Sequence, residues 1–184
     1  MFIKLGEFEI EIVEGNIVNQ PDIEGIVNAA NAQLMPGGGV AGAIHRGAGP
    51  GLAVECRELA PIRPGEAVIT KAYKLPNRAV IHCLGPVYGY DNPSEILLSN
   101  CYRNALLLAE KSKLNSIAFP SISTGVFGYP MREAAKVAFS TVHKLLPQLQ
   151  HLKRIRFVLF GSEALKIHEK VFEEIFIRDG FEDQ

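Results

Sequence analysis

Gly25-Ile26-Val27-Asn28-Ala29-Ala30-Asn31-Ala32-Gln33-Leu34-Met35-Pro36-Gly37-Gly38-Gly39-Val40-Ala41-Gly42 is the stretch that decides how the rest of the chain is read. Gly25 to Asn28 reads as a short apolar strand. A loop follows that ends in Gly37, Gly38 and Gly39, and a helix of small residues runs from about Val40 to Ala48. Strand, glycine loop and helix in succession form the building unit of α/β folds. The same stretch has a chemical reading. Glycine lets the main chain approach a ligand closely, and a helix start offers N–H groups without internal partners. Together these make an anion site. A glycine-rich turn before a helix can also be only a turn, and this loop alone does not decide between the two.

Upstream, Phe8, Ile10 and Ile12 alternate with Glu7, Glu9 and Glu11, the period of two of a half-buried strand. Phe2 to Leu5 precedes it across Gly6, so the chain opens as a two-stranded hairpin. Downstream, Gly51 to Glu58 reads as helix. Strands are expected at Ala67 to Thr70, Ala79 to Cys83, Ile117 to Phe119 and Arg156 to Phe160, apolar enough to be covered on both faces. Three longer helices alternate with them. Leu97, Leu98, Cys101, Ala105, Leu108 and Ala109 form the stripe of the first. In the second, Met131, Ala134, Ala135, Ala138, Val142 and Leu145 line one face between an opening Pro130 and a terminating Pro147. In the third, Ser162 is the expected N-cap, and Leu165, His168, Phe172 and Ile175 share a face. The pattern is an α/β sandwich around a mostly parallel sheet. Residues 1–184 are read as one domain with no linker or repeat, and the tail after Ile177 as frayed.

Composition narrows the function. The net charge of −1 supplies no field for a polyanion. The densest basic cluster, Lys153, Arg154 and Arg156, reads as a solvated strand entry, so nucleic acid is disfavoured as a partner. The three scattered cysteines, Cys56, Cys83 and Cys101, argue against a disulfide framework, and Cys83 sits in an apolar run as a buried thiol. No signal-peptide core and no membrane-length apolar run is present, so a soluble, cytoplasmic protein is expected. The five histidines and three cysteines show no ligand spacing, so neither a metal nor a cofactor is expected.

A second loop, Ser121-Ile122-Ser123-Thr124-Gly125-Val126-Phe127-Gly128, also leaves a strand and enters a helix. Ligands in open α/β sheets lie beyond the carboxyl ends of the strands. Two glycine loops facing each other there would suit a diphosphate, held by main-chain donors without lysine or arginine. Residues 37–42 match the dinucleotide fingerprint G-x-G-x-x-G, but in poor context. Eight residues, Ala29 to Pro36, separate the strand from Gly37, and helix rather than strand follows. No glycine is followed by Lys and then Ser or Thr, which excludes a P-loop.

Several ordered motifs resemble the macro domain family. They are Ile26 to Asn31, Gly37 to Val40, Ala43-Ile44-His45-Arg46, Ala48 to Leu52, Gly65-Glu66-Ala67, Ile81-His82, Gly85-Pro86-Val87, Cys101 to Asn104, Ala118-Phe119-Pro120 and Ser123-Thr124-Gly125. The resemblance runs from about Ile10 to Ile177. It implies a three-layer α/β/α sandwich with a mixed six-stranded sheet and an ADP-ribose cleft across its top. Carried over residue by residue, Asn16 and the Ile17 N–H would meet the adenine, and Phe160 would stack on it. Ala29 and Asn31 would approach the distal ribose. Gly37, Gly38, Gly39 and Val40 would cradle one phosphate, and Ser123, Thr124, Gly125, Val126 and Phe127 the other, with Phe127 also against the ribose. Phe160 and Phe127 could equally be core, and Asn31 could merely hold its own loop.

Two departures stand out. The family usually has Gly-Asp-Ile where this chain has Gly15-Asn16-Ile17, so the adenine amino group meets an amide instead of a carboxylate. MacroD-type hydrolases have Gly-Val-Asp-Gly where this chain has Gly39-Val40-Ala41-Gly42, and Ala41 cannot activate water. His45 lies one helical turn further on the same side, either orienting groups near the ribose or simply packed. The resemblance still implies hydrolysis of esters of ADP-ribose. The substrates would be O-acetyl-ADP-ribose or protein carrying ADP-ribosyl-glutamate or aspartate. A substrate phosphate would orient the water, Asn31 would position the ribose, and Gly39 with Gly125 would shape the water's site. The alternatives are a non-catalytic ADP-ribose-binding module and, further off, an NAD-dependent oxidoreductase. A Cys-His hydrolase built on Cys83 or Cys56 lacks a recognisable nucleophile loop.

Overall fold

The computed structural model describes residues 1–178. The frayed tail expected after Ile177 therefore lies, Arg178 apart, outside the described residues. Seven strands form one sheet: β1 (Phe2–Leu5), β2 (Phe8–Glu14), β3 (Gly25–Ala29), β4 (Ala67–Lys71), β5 (Ala79–Cys83), β6 (Ser116–Phe119) and β7 (Arg154–Leu159). Their spatial order is β1-β2-β7-β6-β3-β5-β4. The five central strands are parallel, while β1 and β4 close the edges antiparallel. This corrects the strand count of six that the family resemblance implies. The reason is local: Gly6, at φ +57°, turns the chain tightly enough for Phe2–Leu5 to pair along β2 and extend the sheet.

Helices cover both faces. α1 (Gly39–Ala48) and α2 (Pro50–Leu59) lie on one, over Ile26, Val80, Ala118 and Val158. α3 (Ser94–Lys111), α4 (Met131–Leu145) and α5 (Ser162–Phe172) lie on the other, over Ile10, Ile12, Val27, Ile81, Phe119 and Phe157. Alternate residues of each central strand thus enter different cores, which is why these strands read as unbroken apolar runs. Pro147 lies in a single 3₁₀ turn, Leu146–Gln148, that ends α4. Ser162 is the first residue of α5 rather than its N-cap; Gly161, at φ +101°, takes that place without a side-chain cap. Among the described residues, no helix is long and apolar enough to cross a membrane.

The basic cluster is not a solvated strand entry. The parallel register sets Glu9 and Glu11 of β2 beside Arg154 and Arg156 of β7. Arg156 is buried and donates to Glu11, Gln20 and both oxygens of Asp22, Arg154 pairs with Glu11 and Asp22, and Lys153 with Glu7. With its cations paired internally, this edge is no basic stripe for nucleic acid.

Candidate functional site

Parallel strands bring all their carboxyl ends to one edge, so the candidate residues gather there in sheet order. Asn16 and Ile17 follow β2, Phe160 follows β7, Ser123 to Phe127 follow β6, and Ala29 with Asn31 and Gly37 to Val40 follow β3. β6 and β3 are neighbours, but their register pairs are only Gly25↔Ile117 and Ile26↔Ala118. Beyond them the two chains part: β3 leads to α1 on one face and β6 to α4 on the other. Adjacent strands whose connections leave to opposite faces open a crevice between their loops, the usual ligand position in such sheets.

Both loops expose bare main chain at this edge of the sheet. Gly37, Gly38, Gly39, Gly125 and Val126 are exposed. α1 has no side-chain cap and no acidic residue in its first turn. Among the described residues, the amides of Gly37 to Ala41 and of Thr124 to Phe127 donate to no protein acceptor. No charged side chain lies in either segment.

The loops are braced from behind. Asn31 Nδ2 donates to the Met35 carbonyl (2.8 Å), and Asn31 Oδ1 accepts from the Met35 amide (3.0 Å). This clamp holds Leu34 buried at φ +55°. Asn31 therefore does hold its own loop, with one N–H and one lone pair left over. In the second loop Ser123 sits at φ +67°, its hydroxyl donating to the Pro86 carbonyl (2.8 Å) and its carbonyl accepting from Tyr129. The Ser123 side chain is thus a strut, leaving its amide as the group a ligand can use. The segment after β5 completes the brace: the Tyr88 amide donates to the Phe127 carbonyl, and a Cβ on Gly85 would overlap the Ser123 hydroxyl. In the sequence Gly85-Pro86-Val87 shows only as a motif; the one sign of its bracing role is the absent side chain at Gly85.

At the other end, Phe160 is 89% exposed, which excludes the core reading and leaves a free aromatic face. Phe127 is half-buried against the α1–α2 core. Asn16 is exposed, and its Oδ1 accepts from the Val18 amide (3.1 Å). The Asn16 carbonyl accepts from Asn19 and from Gln20 Nε2, and Gln20 Oε1 accepts from Arg156. A buried guanidinium thus fixes the loop that presents Asn16 and the Ile17 N–H.

Beneath the Gly37 loop lies a buried polar group. His82 faces Asn28 across the β3–β5 register. Thr70 Oγ1 donates to the Lys71 carbonyl, so His82 Nε2–H donates to Thr70 (2.9 Å) and Nδ1 accepts from Asn28 (3.0 Å). Burial, and next the nearby His45, push the His82 pKa down to about 3. His45 is buried as well, and burial lowers its pKa against a smaller opposing pull from the Leu34 carbonyl. Neither His45 ring nitrogen makes a well-formed hydrogen bond. Ala41, one turn earlier, is buried and offers it nothing. Cys56 Sγ lies 3.9 Å from His82 Nε2, but both residues are fully buried and burial raises the thiol to about 11. A neutral thiol beside a neutral imidazole, closed to solvent, is core and no nucleophile. Among the described residues, no cluster of three or more His, Cys, Asp or Glu could hold a metal ion.

The macro domain family model matches residues 27–138. The chain belongs to the macro domain family. An O-acetyl-ADP-ribose deacetylase of Cronobacter sakazakii is 45% identical over 168 residues, 88% of this chain and 92% of its own. The ADP-ribose glycohydrolase MACROD2 of Xenopus laevis is 41% identical over 179 residues, 96% of this chain but 43% of that protein. A solved macrodomain of Oceanobacillus iheyensis with ADP superposes with a TM-score of 0.92 at 40% identity, covering 97% of each chain. With the macro fold established and α2 following α1 where a fingerprint would need a strand, the dinucleotide reading of residues 37–42 falls away.

Proposed function

We propose that this chain, as one domain, binds ADP-ribose in the crevice between the β3 and β6 loops and hydrolyses acyl or carboxylate esters of it. One observation carries the reading: two uncharged loops with unpartnered amides leave adjacent parallel strands for opposite faces. Main-chain N–H groups at a helix start are donors suited to a diphosphate. The relatives named as an O-acetyl-ADP-ribose deacetylase and an ADP-ribose glycohydrolase support the ester chemistry. The three free, buried cysteines favour a reducing compartment, and we assign the protein to the cytoplasm.

In this reading the adenine lies between Asn16, Ile17 and Phe160, and the phosphates lie on Gly37 to Val40 and Ser123 to Phe127. The distal ribose lies by Ala29, Asn31 and Phe127. Gly39 and Gly125 leave room for a water that a substrate phosphate orients. Water adds to the ester carbonyl carbon, the carbon–oxygen bond to the ribose breaks, and a carboxylic acid and ADP-ribose leave. No protein base takes part, because Ala41 has none to offer and His45 is closed off by burial. That same absence favours a second reading, a binding module without turnover. Incubation with O-acetyl-ADP-ribose and with peptides ADP-ribosylated on glutamate or aspartate separates the two. Release of ADP-ribose above the no-enzyme rate supports the hydrolase; tight binding without release leaves the module.

A further inference from the structure

Behind the second loop, α3 and α4 leave a groove of about 890 Å³ between them. Both helices follow the carboxyl end of a central strand, α3 after β5 and α4 after β6, so both run away from the edge that holds the crevice. Short side chains make their contact. Thr141 Oγ1 donates to the Val137 carbonyl (2.7 Å), so Ser99 donates to Thr141 (2.8 Å), and both hydroxyl protons are used within the floor. The mouth of the groove adjoins the crevice. Tyr88, whose amide holds the Phe127 carbonyl, packs its exposed ring on Tyr129 (centroids 4.7 Å apart), and both line the groove.

Charge of opposite sign marks the two ends of the groove. Glu95 and Glu133 stand at the mouth, where burial first, and then Glu95, Tyr88 and Glu133, raise the Tyr129 pKa. They are the only carboxylates among the described residues that line the groove. Arg103 and Lys144 stand further in, about two turns beyond Glu95 and about three beyond Glu133. Both cations are exposed, and among the described residues neither makes an ion pair. Lys136, between the two ends, is partly engaged elsewhere: it adds to the pull on Glu174, which Arg132 holds first. The helix from Glu95 to Arg103 spans about 12 Å, which an extended chain covers in about four residues. We infer that the groove docks the polypeptide of an ADP-ribosylated partner as an extended segment, with acidic side chains about four or five residues from the modified one lying between Arg103 and Lys144. This rests on the proposed reading that the distal ribose lies by Phe127, where the groove opens. The substrate class is then modified protein with an acidic flank; a small acyl ester of ADP-ribose is too short to use the groove.

Isothermal calorimetry compares free ADP-ribose with two peptides that carry it through a side-chain amide in place of the ester, so that binding is read without turnover. One peptide has aspartates about four and five residues to either side of the modified residue, and the other has asparagines there. In wild type at low salt the aspartate peptide is expected to bind about five- to ten-fold more tightly than the asparagine peptide, and the gain should fade at high salt. Arg103→Glu combined with Lys144→Glu is expected to abolish that gain. Affinity for free ADP-ribose should stay unchanged, since neither residue belongs to the crevice loops, and this also shows that the variant folds. In NMR spectra of wild type the aspartate peptide should move the amide signals around Ser99 and Thr141, a readout that needs no variant. Equal affinity for the two peptides in wild type overturns the inference, as does a gain that the double variant keeps, or a peptide that moves no signal in the groove. Failure of free ADP-ribose to bind brings down the underlying reading and the inference together. ADP-ribose binding without discrimination between the peptides overturns the inference alone.

Discussion

The two ends of the crevice are built by opposite means. The end proposed for the base, hereafter the base end, is side-chain work: Asp22 and Glu11 grip the Arg156 guanidinium, Arg156 holds Gln20, and Gln20 holds the Asn16 turn. The end proposed for the phosphates, hereafter the phosphate end, is backbone work: exposed glycines and bare amides, braced by neutral groups such as Asn31, Ser123 and Tyr88. A charged network suits a rigid platform where orientation matters. An uncharged cradle suits a diphosphate, since each amide adds a donor without adding a group that must be neutralised when the ligand leaves. The difference teaches where each kind of mutation should act.

The sharpest test of the backbone end is Gly125→Glu. A Cβ at Gly125 meets nothing within 4 Å, and its φ is not in the left-handed region, so a side chain fits without strain. A carboxylate there repels the phosphates and displaces them from the amides. With about 1.5–3 kcal/mol at stake per charge-assisted hydrogen bond, ADP-ribose affinity is expected to fall by ten-fold or well beyond. Gly125→Ala serves as the control and should bind normally. If Gly125→Glu binds normally too, the loop is only a turn. At the base end, Phe160→Ala should weaken binding by about 1–3 kcal/mol through lost stacking. With 89% of Phe160 exposed, thermal unfolding should hold steady. A lowered Tm with intact affinity would reverse that assignment.

Acid should take the two ends apart in order. Under the phosphate end, His45 and His82 are neutral in the fold with lowered pKa values, His82 at about 3. The unfolded chain takes up their protons first, so this stability is complete above about pH 6.5 and drains as the pH falls toward the folded values, by at most about 2 kcal/mol per histidine at pH 5. At the base end, Arg156 first of all holds the Asp22 carboxyl well below its usual range, so that contribution survives until the pH falls below about 4. Hydrogen exchange between pH 7 and 5, corrected for intrinsic rates, should show protection fading around Leu34 and Met35 while Asn19 stays protected. Simultaneous loss at both ends would erase the distinction.

Much of this was legible in the sequence, for identifiable reasons. The β2 alternation and the apolar runs at Val27, Ile81 and Phe157 report burial on one or both faces, and burial is what composition encodes. The glycine loops were legible as connections between a strand and a helix, though a glycine turn alone does not decide between a turn and an anion site. The brace was not legible: Ser123 bonding to Pro86, or Tyr88 to Phe127, joins segments through tertiary contacts that no spacing encodes. Arg156 reads as solvated in the sequence because its partners, Glu11 and Asp22, lie more than a hundred residues away along the chain. Phe160 resembled any apolar strand end, and only the termination of β7 at Leu159 put its ring in solvent.

The smallest expected effect comes from Ala41→Asp, which adds charge to the end that has none. A positioned general base contributes about 10²–10⁴-fold, and a poorly placed one much less. Here the new carboxylate would emerge one helical turn from His45, whose ring nitrogens lack well-formed partners. Position 41 is buried, so an isolated charge there is costly and pairing with His45 is its cheapest relief. Such a pair would draw a proton onto the imidazole and raise the His45 pKa from its lowered value, leaving the carboxylate less basic toward water. Ester turnover at saturating substrate should therefore rise by about ten-fold at most. Two measurements decide it: the His45 titration by NMR, expected to move upward, and the rate of ADP-ribose release. A gain of about a hundred-fold or more with His45 still neutral would mean that the crevice already holds water in line for a base. No release from either protein would leave the chain as a binding module whose backbone cradle holds its ligand without cleaving it.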